Sequence, residues 1–386
     1  MPEHVDHVVV GLGALGSAAA MELASRGGRV VGLERFELGH SRGASHDTSR
    51  ILRHSYHTAS YVRLTQEAYA DWARLERDSG EDLVSVVGGL DLFPPDPAIS
   101  PVEYITSLDE VGIAHDVLDA AAVRERWPQL RLPEGTLALH QADAAVVPAG
   151  RGTRVMQEQA RRHGADLRGH SPVTAVHDLG DRVEVVTPHG AVTCDHLVVC
   201  ADAWTNQVLS GLGVSVPLEV TLEQVTYFAP EHPADFALGR LPLWIWMDDP
   251  SFYGFPCYGE ATVKAAQDCG GPVVDPDART SEPDEGMERL LAEHMGRMLP
   301  GSGRPVRSLR CQYTLTPDRD FVLSPVPGHE RVAVGLGAAH GFKFAPTFGR
   351  LLADLAIVGS TSTDLSAYRL DRPALTDPDY AAHWLV

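Results

Sequence analysis

The chain has 386 residues, more than one hydrophobic core normally serves, so two domains are expected. Its 44% hydrophobic and 22% charged residues suit an ordinary globular protein, and a net charge of −20 repels phosphate backbones and anionic membranes, so no nucleic acid or membrane partner is expected. Five scattered cysteines, none in C-x-x-C spacing, argue against a disulfide framework or zinc site; no metal is expected, and a reducing, cytoplasmic setting fits.

"HVVVGLGALGSAAAMELA" lacks a basic leader, follows Glu3 and Asp6, and is broken by three glycines, so it reads as structure and not as a signal peptide. Elsewhere the sequence has no apolar run long enough for a membrane span. "HVVV" predicts a buried parallel strand, and Gly11, Gly13 and Gly16 follow it as G-x-G-x-x-G. In that pattern the first glycine makes the tight turn, the second lets a pyrophosphate approach, and the third lets helix pack on strand. "SAAAMELASR" predicts the helix, and "RVVGLE" a second strand ending in Glu34, 18 residues beyond Gly16. A carboxylate there is placed to accept hydrogen bonds from a ribose, and it disfavours NADP while leaving FAD and NAD open.

"GHSRGASHDTSRILRHSYH" (residues 39–57) is polar and basic, where a nicotinamide domain would continue with another helix and strand. On a helix Arg50 and Arg53 would share one face. "YVRLTQEAYADWARLERDSG" predicts an amphipathic helix, "LVSVVGGLDLFP" a strand pair broken at Gly88-Gly89, and "PVEYITSLDEVGI" another helix. A helix over 151–163 precedes short alternating strands with a "PHG" hairpin turn and the apolar strand "HLVVCADAW". The aromatic, strand-rich stretch from "EVTLEQVTYFAP" to "YGFPCYGEATVKAAQD" suits a separate antiparallel sheet; residues 275–286 read as a surface loop. Late in the chain, "RCQYTLTPDRDFVLSP" begins a strand at Cys311, and "RVAVGLGAAHGFKFAPTFGRLLADLA" gives strand, glycine turn and a helix from near Pro346.

Four blocks, "VVVGLGALGSAAA", "SHDTSRILRHSY", "RCQYTLTPDRDF" and "GAAHGFKFAPTFG", resemble the monomeric sarcosine oxidase and N-methyltryptophan oxidase family over essentially the whole chain. The resemblance implies an α/β FAD-binding Rossmann-type domain of glutathione-reductase-like topology, with a second, antiparallel-sheet (α+β) substrate domain. It divides the chain into an FAD domain of residues 1–85, 146–216 and 306–386 and a substrate domain of 86–145 and 217–305. It further implies FAD attached covalently through Cys311, a carboxylate clamp of Arg53 and Lys343, and Arg50 and His46 near the flavin ring. Tyr253 and Tyr313 match aromatic residues of the substrate chamber, and Lys264 matches a lysine that activates dioxygen. FAD contacts are implied for Arg35, Ser45, Thr48, Ser49, Val173 and Trp204, and for Gly337, Gly341 and Phe342.

One residue departs from the pattern. The family has a histidine four residues after the oxygen-activating lysine, and here that position is Asp268. The reading is an amine oxidase that turns an N-methyl or cyclic amino acid into an imine, passes electrons to O2 to give hydrogen peroxide, and works as a monomer. Its alternatives are a flavin dehydrogenase with another electron acceptor, or an oxidase of a cyclic imino acid in a biosynthetic pathway.

Overall fold

The computed structural model describes residues 3–384. The N-terminal valine run forms the strand Glu3–Val10, flanked in parallel by Val30–Leu33 and Gly190–Val199. Val8 and Val9 are fully buried, as expected where both faces of a parallel sheet are covered. On one side the sheet continues to Asp166–Arg168; on the other, Gly190–Val199 carries the meander Val183–Thr187 and Ala175–Asp178. His329–Leu336 also joins Gly190–Val199 in parallel, with Val322–Val326 as its antiparallel neighbour. A strand from late in the chain therefore stands one strand away from the first.

The helix Ala14–Ser25 covers this sheet and packs against both Ala149–Arg162 and Ala345–Val358. Small residues permit the approach: a Cβ on Gly349 would lie 2.5 Å from the Cβ of Ala18. The amphipathic helix Ala59–Ser79 starts at a Thr58 cap and ends at Gly80, whose φ of 75° is the left-handed turn that favours glycine.

A second eight-stranded sheet runs Arg304–Leu315, Glu219–Ala229, Val263–Gln267, Phe252–Phe255, Leu243–Trp246, Gly89–Phe93, Leu137–Gln141, Asp116–Asp119. All its neighbours are antiparallel except Leu243–Trp246 with Gly89–Phe93. A small third sheet joins Ser49–Leu52 and Ser85–Val86 to Ala145–Pro148. The break at Gly88 is thus sharper than a bulge, since its two sides enter different sheets.

Two local expectations change. Arg50 lies in the strand Ser49–Leu52 with Arg53 directly after it, so they do not share a helix face. Side chains alternate along a strand, which sends neighbouring arginines to separate partners. Cys311 does not open its strand but sits well inside Arg304–Leu315, held in register opposite Glu223, and the sequence boundary at 306 falls within that strand.

Candidate active site

The glycine turn is built as its spacing requires. Gly11 has φ 87°, and a Cβ on Gly16 would run into the Gly11 carbonyl oxygen. Gly13 caps the helix Ala14–Ser25 with no side chain of its own, and the Ala14 amide donates to Ser45 Oγ at 2.9 Å. Glu34 accepts from the Leu12 amide at 2.8 Å and the Phe36 amide at 3.1 Å, with His40 Nε2 at 3.3 Å. Burial pushes this carboxyl up, but His40 and the two amides outweigh it and hold it below the usual range.

A cavity of about 780 Å³ starts from this turn and is lined by Gly11, Gly13, Glu34 and Arg35. Ser45, His46, Val173 and Trp204 also line it, as do Gly337, Gly341 and Phe342. From the second sheet come Tyr253, Asp268, Cys311 and Tyr313, joined by Arg50, Arg53 and Lys343. The structure therefore brings most of the candidate residues to one space. Four lie outside its lining: Gly16, Thr48, Ser49 and Lys264.

Lys264 is only 2% exposed and sits just behind the wall. Its ammonium pairs with Asp47 at 2.6 Å and donates to the Ser49 carbonyl at 3.0 Å. Burial, helped by Arg50, pushes Lys264 down to about 8 against the pull of Asp47. Burial acts on Asp47 in the other direction, but Lys264 and the Tyr227 hydroxyl win and take it down to about 2. The pair is therefore ionised across neutral pH. Arg50 reaches the Ala44 and His46 carbonyls at 2.7 and 3.0 Å and braces the loop carrying Asp47. Burial and Arg50 push His46 down to about 4, so its imidazole is neutral. Burial pushes the Cys311 thiol up to about 11, with Arg50 opposing, so at neutral pH it is protonated.

A second cationic corner contains Arg53, Lys343 and Arg319. Arg53 Nη1 meets Asp91 Oδ2 at 2.7 Å, and Ser55 also donates to that carboxylate. Arg319 binds Asp268 with two nitrogens, at 2.8 and 2.9 Å. Lys343 has no carboxylate partner among the described residues; it donates to the Tyr56 hydroxyl at 2.8 Å and the His340 carbonyl at 3.0 Å. Burial, Arg53 and Arg319 together hold its ammonium well below the ordinary lysine range. Tyr253 and Tyr313 place their hydroxyls 3.4 Å apart beside this corner.

The sequence reading missed Asp47, Asp91, Tyr56, His340 and Arg319. Asp91 carried a signal, an acid among Leu90, Leu92 and Phe93 on a strand buried throughout. Asp47 and Arg319 stand inside the blocks "SHDTSRILRHSY" and "RCQYTLTPDRDF", but their partners lie far along the chain.

These residues fit FAD. The helix Ala14–Ser25 starts at Gly13 without a side-chain cap from that residue, and its N-terminal end, which lines the cavity, offers the positive end of the helix dipole to a pyrophosphate. Around the cavity, His46 Nε2, Thr314 Oγ1 and both amide atoms of Gln312 are buried without a hydrogen-bond partner among the described residues. Groups so left are costly unless a ligand meets them. No cluster of metal-ligating side chains occurs among the described residues, and none of their helices is long and apolar enough to cross a membrane.

A dinucleotide turn feeding a cavity that ends on buried cations and tyrosines defines a flavin-dependent oxidoreductase. Residues 6–355 match the family described as FAD dependent oxidoreductase (DAO), and the chain belongs to it. The monomeric sarcosine oxidase of Streptomyces avermitilis is 34% identical over 372 residues, which is 94% of this chain and 96% of that protein. Human peroxisomal sarcosine oxidase is 31% identical across 95% of this chain and 96% of its own length. The open form of NikD, an unusual amino acid oxidase essential for nikkomycin biosynthesis, superposes with a TM-score of 0.85 at 28% identity, covering 95% and 97% of the two chains. The protein is an FAD-dependent oxidase acting on CH–NH donors.

Proposed function

We propose that the enzyme oxidises a secondary-amine amino acid, N-methylated or cyclic, to an imine that water then hydrolyses, with dioxygen as the electron acceptor. The observation carrying this reading is Lys343, a buried cation beside Arg53 in the cavity with no carboxylate of its own among the described residues. A substrate carboxylate supplies the missing anion there. Arg53, fixed through Nη1 by Asp91, orients it, and Tyr253 and Tyr313 close the chamber around the rest of the molecule. The chemistry FAD would supply when bound is uptake of a hydride equivalent from the C–H beside nitrogen and passage of the electron pair to dioxygen. Lys264 and Arg50 hold positive charge close to Cys311, where it favours the developing negative charge of reducing oxygen.

The cofactor is held by the glycine turn, Glu34, Ser45, His46 and Trp204, with Cys311 as the proposed 8α-thioether tether. Forming that thioether would remove one hydrogen from Sγ and one from the flavin methyl, the two electrons and two protons going to dioxygen as hydrogen peroxide. FAD and substrate in one chain's cavity suit a monomer; the proposed domain division at 85/86, 145/146, 216/217 and 305/306 is kept as a division of the chain whose cuts at 85/86, 145/146 and 305/306 fall inside strands.

The deciding experiment is an anaerobic screen of secondary amino acids against the holoenzyme. Loss of yellow absorbance with an N-methyl or cyclic amino acid is expected; no bleaching by any of them overturns the reading. Acid-precipitated protein should stay yellow, and a colourless pellet removes the tether. One observation favours a dehydrogenase instead: Asp47 already neutralises Lys264. Stoichiometric peroxide per turnover decides for the oxidase, and a low yield for the dehydrogenase.

A further inference from the structure

Asp268 has space on both sides. Beyond the main cavity lies a smaller one of about 190 Å³, bordered by Asp249, Ser251, Gln267, Asp268, Cys269 and Trp384. Ser251 and Asp268 line both cavities, so they form the partition between them. The partition is firmly held. Arg319 Nη1 and Nη2 each take one oxygen of the Asp268 carboxylate, at 2.8 and 2.9 Å. Nη1 also donates to the Trp384 carbonyl at 2.6 Å. The Asp268 amide donates to the Ser251 carbonyl at 2.9 Å, tying the two partition residues together. Arg319 itself adopts φ 57°, a conformation that a non-glycine residue keeps only where its surroundings enforce it. A two-toothed guanidinium–carboxylate contact fixes direction as well as distance, so the side chain cannot swing aside cheaply.

We propose that the Asp268–Arg319 ion pair is the end wall of the substrate chamber and sets the largest side chain or N-substituent the enzyme accepts. The inference rests on the proposed docking of the substrate carboxylate at Arg53 and Lys343. Arg319 stands in the same corner as Arg53 and Lys343 and acts with Asp268 on the Lys343 charge, so the pair bounds the room beside the docked carboxylate into which a side chain or N-substituent extends. The pair is neutral as a unit and presents no free charge to attract a second acidic or basic group. It selects by length. The space under Trp384 is the room that a larger substituent enters once the wall is gone.

The test uses holoenzyme and unreactive carboxylates of graded size, acetate, 3-phenylpropionate and indole-3-propionate, with Kd read from perturbation of the flavin absorbance or by calorimetry. Wild-type enzyme should bind the aryl acids no better than acetate. Wild type preferring the aryl acids by tenfold overturns the proposal without any variant. Asp268→Ala combined with Arg319→Met clears the wall and leaves no unpaired buried charge; it should tighten the aryl acids at least tenfold and change acetate less than threefold. Asp268→Asn keeps the volume and should retain the wild-type order. Equal shifts for all three acids in the double variant, or the same gain in Asp268→Asn, overturn the proposal. If the double variant does not fold, Asp268→Ser is read in its place as the ratio of aryl-acid to acetate affinity, which cancels the charge left on Arg319; a rise of about threefold in that ratio is expected, and an unchanged ratio overturns the proposal. Failure of the functional reading looks different: no amino acid bleaches the flavin, yet acid preference still follows the wall.

Discussion

Lys264 and Lys343 are both buried beside one cavity, at 2% and 8% exposure, and differ in what their surroundings supply. Lys264 has a carboxylate at 2.6 Å, and its ammonium is pushed down only to about 8. Lys343 has a phenol and a carbonyl, and burial, with two arginines nearby, holds it well below the ordinary lysine range. A buried cation without an anion is expensive, and proteins keep one chiefly where a ligand completes the pair. The contrast assigns the two lysines opposite tasks. In the proposed reaction Lys264 is a finished ion pair whose charge acts at a distance, and Lys343 is half of a pair that substrate would complete.

The largest test of this contrast removes the finished pair's cation. Lys264→Met should slow reoxidation by oxygen about 10²- to 10³-fold, the size expected for a preorganised electrostatic group, and leave anaerobic reduction within about threefold. Stopped-flow measurement of both half-reactions checks it, and an equal fall in the two would erase the distinction between the lysines. The same group sets a pH limit. Its proton is present below pH 8 and lost above, so the reoxidation rate should be flat up to about 8 and then fall by at most about tenfold per pH unit. For stability the sign is opposite: the folded value lies below the unfolded 10.5, so between pH 8 and 10.5 the unfolded chain binds the extra proton. The burial penalty of Lys264 is complete below pH 8 and is relieved as pH rises through that window.

Removing the unfinished pair's cation comes next in size. Lys343→Met should raise KM for an amino-acid substrate about 10- to 100-fold, the worth of one charged hydrogen bond in a buried site, with a smaller change in kcat. It should also leave the folded protein as stable or slightly more so, since it removes an uncompensated buried charge. Arg53→Ala behaves differently on stability. It strands Asp91 and should cost about 3–5 kcal/mol, recovered in large part by Arg53→Ala with Asp91→Ala. Thermal unfolding of the three variants separates substrate contact from structural pairing.

What could be read from the sequence divides along similar lines. The glycine turn, Glu34 and the valine strand were legible because backbone sterics tie their spacing to one geometry within about thirty residues. The helix Ala59–Ser79 was legible from periodicity and from Gly80. The pairs that decide the site were not. Lys264 finds Asp47, Arg53 finds Asp91 and Arg319 finds Asp268 only because three sheets bring distant segments together, and no local period encodes that. Arg50 and Arg53 show the same limit: three-residue spacing suggests one helix face, but pairing with Ala145–Pro148 made the segment a strand. The proposed tether at Cys311 rests on a motif, and burial alone marks that thiol as inert.

The smallest effect probes how Lys343 is held. Its ammonium donates to the Tyr56 hydroxyl at 2.8 Å, which lies 3.1 Å from His340 Nδ1, and His340 Nε2 lies 3.0 Å from the Arg319 carbonyl. That carbonyl can only accept, so Nε2 carries the imidazole proton, Nδ1 accepts from Tyr56, and the phenol oxygen is free to accept from Lys343. The chain has one consistent polarity, and burial enforces it by holding His340 neutral and Tyr56 protonated. Tyr56→Phe removes the acceptor while preserving the ring that Lys343 and Arg53 stack against at 5.3 and 5.2 Å. KM should rise about three- to tenfold, the worth of one hydrogen bond, with kcat little changed. The more telling readout is the pH profile: with the phenol gone, the ammonium is less well solvated, so the pH above which KM climbs should move down. If KM rises and that pH stays where it is, Tyr56 serves packing alone, and Lys343 is positioned by the His340 carbonyl.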